Sequence, residues 1–425
     1  MDVPTHPRYT VIIPTRNRSE YLEAAILTAL GQESDDFELV VSDNHSEDGT
    51  SEMLSALKDH RLRVIRPPRP LAMVQHFEWV LRQAKGEWVT VIGDDDGLMP
   101  FFFEFADALT RGPASDFDVI YGPKPSYQWP GLESLYGRNV IRYDAHSGRE
   151  TELSSEVMDR VAYGDDSYFG HAQFYTGTLF RQSLLERIRA RQTEGRIYHS
   201  FTPDASSVVA TLLNTEKVLN VGLPFAWGGS SPKSTGAQAT RAQRRTGGST
   251  EIFEDFKRLN LAAGIAVHPR FRSVLEVEGC AKVYFLESLY AMSLANGYGW
   301  HERFDDERHS YSLFHAVYAE QQRRKRRGLP TDAYDRLFAD NGLRADGFEA
   351  LPASGYASCV FTYVEKQRKG LVRAIRRALP GPLNTFSHHC RKPGVYPSIL
   401  TANAMLEEPA NRSRLRSMID EICRS

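Results

Sequence analysis

Trp88-Val89-Thr90-Val91-Ile92-Gly93-Asp94-Asp95-Asp96-Gly97 decides the fold. A β-rich, largely apolar run leads straight into three consecutive carboxylates bracketed by glycines. Such a run predicts a strand buried on both faces, as in a parallel sheet covered by helices. The acids then stand at its carboxyl end, where open α/β sheets hold their ligands. Three adjacent carboxylates repel one another and need a positive partner. A divalent metal suits them: magnesium, calcium and manganese take oxygen ligands, and magnesium commonly joins one or two carboxylates to substrate phosphates. The glycines let the backbone turn and approach closely. An isolated triplet is equally a solvated acidic turn; its place after a buried strand favours a site.

The same alternation extends outward on both sides. Apolar runs at 9–13, 37–42, 62–65 and 117–121 read as further strands. Between them lie helical faces: Leu22, Ala25, Ile26, Ala29 and Leu30, then Met53, Leu54 and Leu57, then Met73, Phe77, Val80, Leu81 and Ala84. Ser19 is expected to cap the first helix, and Asp48 or Thr50 to start the second. Strands alternating with helices predict an α/β fold with a mainly parallel sheet. The strand ends converge on Pro14, Thr15, Arg16 and Arg18, on Asp43 and Asn44, on Arg66, and on Asp94, Asp95 and Asp96. Asp43 can accept hydrogen bonds from a base or ribose edge, or it can belong to the turn built by Asn44, Ser46, Asp48 and Gly49.

Three stretches together resemble family 2 glycosyltransferases: Thr10 to Arg18, Val41 to Thr50, and Ala84 to Asp96. The resemblance is strong over about 8–125 and weaker over about 172–236. It implies a GT-A type, Rossmann-like fold and a nucleoside-diphosphate sugar donor, with a UDP-sugar favoured. It implies a divalent metal, Mn2+ or Mg2+, with Asp96 as the direct ligand. Asp94 falls toward the ribose and is a second candidate ligand; Asp95 falls toward the sugar or diphosphate. Asp43 matches the acid that meets the nucleobase. The family typically inverts the anomeric centre with a carboxylate base further along the chain. Asp204, after a strand at 173–180 and a helix at 182–191, fits that place; the pair Asp165 and Asp166 is the rival. Asp204 also opens a helical run at 205–213, where an acid is a good cap.

The segment Gly228 to Ser234 offers backbone N–H groups and Lys233 for a phosphate, or is a plain loop within the Gly/Ser-rich stretch 225–243. His171 and Trp227 are further candidates for sugar contacts. Residues 123–170 read as irregular, and everything beyond about 250 as mainly helical, with helical spacing over 280–294. The expected organisation is a GT-A domain over 1–245, with a nucleotide-sugar half at 8–125 and an acceptor half at 126–245. A mainly helical C-terminal domain follows over 246–425.

Composition bounds the remaining possibilities. A chain of 425 residues is expected to form two domains or one core with a large appendage. At 41% hydrophobic and 25% charged it reads as globular, and a net charge of -2 creates no field for nucleic acid. Cys280, Cys359, Cys390 and Cys423 have no metal-ligand spacing, which argues against a disulfide framework or a structural zinc. No leader and no spanning apolar run are visible, so a cytoplasmic location is expected. Basic residues around Leu371, Val372, Ile375 and Leu379 suit either a packed helix or peripheral contact with an anionic membrane, which would fit a glycan or lipid-linked acceptor. The basic run 323–327 reads as a solvated helix end, and the helical C-terminal part as a potential homo-oligomer interface. A sugar-phosphate nucleotidyltransferase is the rival enzyme, but Pro14-Thr15-Arg16-Asn17 lacks the Gly-rich loop and lysine it needs. A non-catalytic nucleotide-sugar-binding scaffold would not need Asp43, Asp94, Asp96 and Asp204 together.

Overall fold

The computed structural model describes residues 7–132, 140–164, 166–192, 194–236, 251–265, 267–277, 280–350, 385–392 and 394–424. Asp165, Cys359, the basic stretch 366–379 and the end of the loop 225–243 lie outside them.

The expected strands and helices form in order. They are β1 (Tyr9–Thr15), α1 (Ser19–Leu30), β2 (Phe37–Asp43), α2 (Thr50–Ala56), β3 (Leu62–Ile65), α3 (Met73–Leu81) and β4 (Trp88–Val91). A short β5 (Gly97–Leu98), α4 (Phe102–Thr110) and β6 (Val119–Tyr121) follow. Beyond β6 come β7 (Ser126–Gln128), β8 (Ile141–His146), β9 (Arg149–Leu153) and α5 (Ser154–Tyr163). Then come β10 (Thr178–Arg181), α6 (Gln182–Arg191), α7 (Pro203–Asn214), β11 (Lys217–Val221) and β12 (Ala226–Ser230). The main sheet has eight strands in the order β3-β2-β1-β4-β10-β6-β11-β9. Strands β3, β2, β1 and β4 run parallel, while β10 lies antiparallel between β4 and β6. The sheet is therefore mixed but mainly parallel.

Alternate residues of the strands feed two cores, one on each face. Ile12, Val40, Val89, Val91, Val119 and Phe180 point into one. Val11, Ile13, Leu39, Val41, Ile120 and Leu179 point into the other. Both sets are apolar, which is why the strands read as continuous hydrophobic runs. Residues beyond 250 cover both faces. The first core takes in Phe285, Leu286 and Leu289 of the helix Ala281–Asn296, which stops at Gly297 in the left-handed conformation (φ 68°). The second takes in Ile399, Leu406, Met418 and Ile422 of the helices Ile399–Glu407 and Pro409–Arg424.

Several expectations are corrected. The stretch 126–170 is not irregular: β7, β8 and β9 occupy it, and Ile141, Tyr143 and Ala145 alternate buried with more exposed neighbours. Those strands are short and one-sided, so they carry little signal in composition. The C-terminal part contributes β13 (Thr385–Cys390), which pairs with β8 in a second sheet ordered β13-β8-β7-β12-β5. The expected strand at 173–180 starts only at Thr178, because Gly177 turns the chain at φ 83°. The segment 226–230 is strand, not loop. Arg18, not Ser19, occupies the N-cap position of α1, and Ser19 instead donates its hydroxyl to the Asp48 carbonyl at 3.0 Å. Of the two expected starts of α2, Thr50 is the first helical residue, and Gly49 rather than Asp48 stands at the N-cap position.

Candidate active site

From β1 the sheet grows one way through β2 to β3 and the other way through β4. The reversal between β1 and β4 opens a crevice at their carboxyl ends. The β4 ladder stops at Ile12, paired with Val91, two residues before Pro14. Pro14's missing N–H therefore leaves no bond unmade on that side, and β1 runs on to Thr15 while β4 turns at Gly93.

Thr15 and the acid turn meet across this crevice. The Thr15 hydroxyl donates to Asp94 Oδ2 at 2.8 Å. Arg18 reaches back from the start of α1 and pairs with Asp94 Oδ1 at 3.2 Å and Asp95 Oδ2 at 3.4 Å. Asp96 is turned into the protein: its Oδ2 accepts from the Gly93 N–H at 2.7 Å and from the Thr176 hydroxyl, and its Oδ1 from the Gly229 N–H at 2.6 Å. All three acids are buried. Burial, with Asp95 close by, pushes the Asp94 and Asp96 carboxyls well above the usual carboxylate range, and Arg18 offsets part of this at Asp94.

The segment Gly228 to Ser234 lies over these acids. Besides the Gly229 bond, the Ser234 hydroxyl donates to Asp95, and the Lys233 carbonyl accepts from Arg18 at 2.7 Å. The Lys233 ammonium pairs with Glu20 at 3.1 Å. Trp129 donates its indole N–H to the Asp95 carbonyl at 2.7 Å. Gly229 is required here, since a Cβ on it would meet the Asp95 carbonyl oxygen at 1.7 Å.

On the β2 side, Asp43 is buried and accepts from the Ser46 N–H at 2.9 Å, with the Arg66 guanidinium 3.9 Å away at the rim. Asn44 spends its whole amide on the Leu71 backbone, at 2.8 and 2.9 Å, and so shapes the wall. His76 stands behind Asp43, hydrogen-bonded to Ser42 at 2.7 Å, and burial pushes its imidazole down to about 4. Arg16 is half-buried, and its charge reaches His76.

Asp204 occupies the first turn of α7, after Pro203. One oxygen accepts from the Tyr168 hydroxyl at 3.3 Å and the other from the Ala205 N–H at 2.9 Å. Burial raises its carboxyl, and the Lys124 ammonium opposes that. Asp166 belongs elsewhere: it lies 3.7 Å from Arg160, which also grips Glu152 at 2.6 Å. Trp227 does not reach a sugar site: its ring is fully buried, and its N–H donates to Asn403 at 2.9 Å. His171 is nearly buried, and burial lowers its imidazole.

Sequence reasoning did not name Thr176, Trp129, Tyr168 or Lys124. They come from loops far along the chain and carry no local motif. Gly229 and Ser234 stood inside a stretch that had been singled out.

The donor set suits a hard cation by charge and by chemistry: of three adjacent buried carboxylates, only Asp94 and Asp95 meet a cationic partner, Arg18. Among the described residues no three His, Cys, Asp or Glu side chains converge as a ready-made cage.

The chain is 31% identical over 196 residues to the succinoglycan biosynthesis protein ExoO of Rhizobium meliloti, covering 44% of this chain and 51% of that protein. It is 34% identical over 201 residues to the GalNAc(5)-diNAcBac-PP-undecaprenol beta-1,3-glucosyltransferase of Campylobacter jejuni, covering 43% of this chain and 54% of that protein. The matches thus span about half the length of these two relatives. A crystal structure of S. aureus TarS 1-349 in complex with UDP-GlcNAc aligns with 82% of this chain and 91% of its own, at 14% identity and a TM-score of 0.43. Residues 10–188 match the family described as Glycosyl transferase family 2, a stretch that holds Thr15, Arg18, Asp43 and the acid turn.

Proposed function

We propose that the chain moves a sugar from a nucleoside-diphosphate sugar, a UDP-sugar in the first instance, to an acceptor hydroxyl with inversion. The observation that carries this is the joining of Thr15, Arg18 and the 229–234 segment onto Asp94, Asp95 and Asp96 at the reversal of the sheet. Asp43 and Arg66 border the nucleobase end. Arg18 and the backbone of the 229–234 segment border the diphosphate end. A bound Mn2+ or Mg2+, with Asp96 and Asp94 as its protein ligands, would supply Lewis-acid stabilisation of the departing diphosphate.

Asp204 serves as the base. An acceptor hydroxyl ionises far above neutral pH, so a positioned carboxylate must take its proton as it attacks, which contributes roughly 10²–10⁴-fold. Each of its oxygens accepts one bond, a long one from Tyr168 at 3.3 Å and one from the Ala205 N–H at 2.9 Å, which leaves lone pairs free to accept a proton. Asp166 is the poorer candidate because Arg160 competes for it. Transfer chemistry is assigned to residues 1–245, with the helical remainder covering both faces of the sheet.

The acceptor is assigned to glycan or polysaccharide assembly, and the name of the Campylobacter relative suggests a lipid-linked one. Among the described residues no helix is long and apolar enough to cross a membrane; contact with a lipid-linked acceptor would then be peripheral, on the cytoplasmic side. A thermal-shift panel of nucleotide sugars with Mn2+, followed by transfer and donor-hydrolysis assays, tests the reading. Metal-dependent stabilisation by one nucleoside diphosphate and release of that nucleotide are expected. Stabilisation without turnover on any acceptor, or donor hydrolysis, would favour the scaffold reading instead.

A further inference from the structure

Lys124 follows β6 on the loop Gly122–Pro125 and is half-buried. Its ammonium donates to the Phe169 carbonyl at 2.9 Å and the His171 carbonyl at 3.4 Å. Those carbonyls belong to the 3-10 turn Tyr168–Gly170 and the residue after it. Tyr168 from this turn is the residue that donates to Asp204. The lysine stem packs on the turn at Gly177, where a Cβ would meet Lys124 Cγ at 3.0 Å. Thr176, next to Gly177, is bonded to Asp96. One side chain thus touches the segment that holds the base and the segment that holds the acid turn.

We propose that Lys124 is a positioning residue for the transfer reaction, fixing the Tyr168–Gly170 turn so that Tyr168 and Asp204 keep their place relative to Asp96. Its charge acts on both Asp204 and Asp96, and no carboxylate lies within ion-pair distance of it among the described residues. An ammonium held by carbonyls alone is expensive to bury, and desolvation lowers Lys124 to about 7. A purely structural position would be served at less cost by an uncharged donor. The inference rests on the reading of Asp204 as the base.

The test is steady-state transfer beside calorimetric nucleoside-diphosphate affinity, on the full chain, for Lys124→Met, Lys124→Arg, Tyr168→Phe and the double variant Lys124→Met/Tyr168→Phe. Lys124→Met should lower kcat roughly 30-fold or more with nucleotide Kd within about twofold, because the contact lies on the acceptor side. Lys124→Arg should recover part of that rate. Tyr168→Phe should lose less, and should add little on the Lys124→Met background, since both act through one contact. Unchanged kcat in Lys124→Met, a parallel loss of nucleotide affinity, or fully multiplicative losses in the double variant would each overturn the proposal. If Lys124→Met does not fold, Lys124→Gln, which still offers a donor to the Phe169 carbonyl, is read by the same criteria. Absence of transfer in the unaltered chain, or full activity in Asp204→Asn, would sink the underlying reading. An active chain with a dead Asp204→Asn and a normal Lys124→Met would sink this inference alone.

Discussion

Replacing Gly229 by alanine is the sharpest test of how the site is held together. A Cβ there would stand 1.7 Å from the Asp95 carbonyl oxygen, where real Cβ contacts stay above 3.0 Å, so about 1.3 Å must be ceded between two backbones. Neither is the end of a flexible side chain, so β12 has to move away from the acid turn. Two bonds are strained by that movement: Gly229 N–H to Asp96 at 2.6 Å and Trp129 N–H to the Asp95 carbonyl at 2.7 Å. A hydrogen bond to a charged group contributes about 1.5–3 kcal/mol and a neutral one about 1 kcal/mol, so the loss should be roughly 2.5–4 kcal/mol. In a chain of this size that lowers the thermal midpoint by ~3–5 °C. Gly228, one residue earlier, is the control: its Cβ would sit at an ordinary 3.5 Å from the Pro125 carbonyl oxygen. Thermal unfolding and nucleotide affinity should therefore fall together in Gly229→Ala and stay near wild type in Gly228→Ala. Equal behaviour of the two variants would refute the packing of the 229–234 segment on the acid turn.

The other predictions probe charge and chemistry. Asp204→Asn should bind nucleoside diphosphate normally and lose roughly 10²–10⁴-fold in kcat, while Asp166→Asn keeps most activity; the reverse pattern in a transfer assay would move the base to Asp166. Asp96's carboxyl is raised by burial and by Asp95, so the folded chain binds its proton more tightly than the unfolded chain does. Its contribution to stability is present at low pH and is lost as pH rises from the ordinary carboxylate range through the raised value. Without metal, wild type should thus lose stability relative to Asp96→Asn between about pH 4 and pH 8, and chemical denaturation that shows the opposite trend would contradict the burial argument. Adding Mn2+ with nucleoside diphosphate should release protons from this site, measurable by calorimetry in buffers of different ionisation enthalpy. Trp227→Phe should cost about 1 kcal/mol through the lost Asn403 bond and leave the donor KM unchanged; a raised KM would restore Trp227 to the sugar site.

What was legible in the sequence was legible for a local reason. Strands β1, β2 and β4 could be read because both faces of each are buried, so the apolar pattern is nearly unbroken, whereas β3 lies partly exposed at the sheet edge and was read from its place between two helical faces. Asp43, Asp94, Asp95 and Asp96 could be read because each ends such a strand. Strands β7 to β9 were missed because one exposed face and three to six residues leave little pattern to detect. β13 was missed because its partner, β8, lies more than two hundred positions earlier.

The same division runs through the site itself. The acids declare themselves in one ten-residue stretch, but what neutralises and orients them does not. Arg18, Thr176 and the pair Gly229 and Ser234 reach Asp94, Asp95 and Asp96 from three separate segments. The protein fills three of the roughly four lone-pair sites of Asp96, two on Oδ2 and one on Oδ1, so a metal either takes the remaining site on Oδ1 or displaces a donor from Oδ2. The donor it can release most readily is the Thr176 hydroxyl, because a hydroxyl rotates while the Gly93 and Gly229 N–H groups are fixed by the backbone. Thr176→Val should therefore weaken nucleotide binding less in the presence of Mn2+ than in its absence. A larger loss with Mn2+ in a thermal-shift titration would mean that Thr176 stays bonded to Asp96 in the loaded site, and that the metal approaches through Asp96 Oδ1 or Asp94 instead.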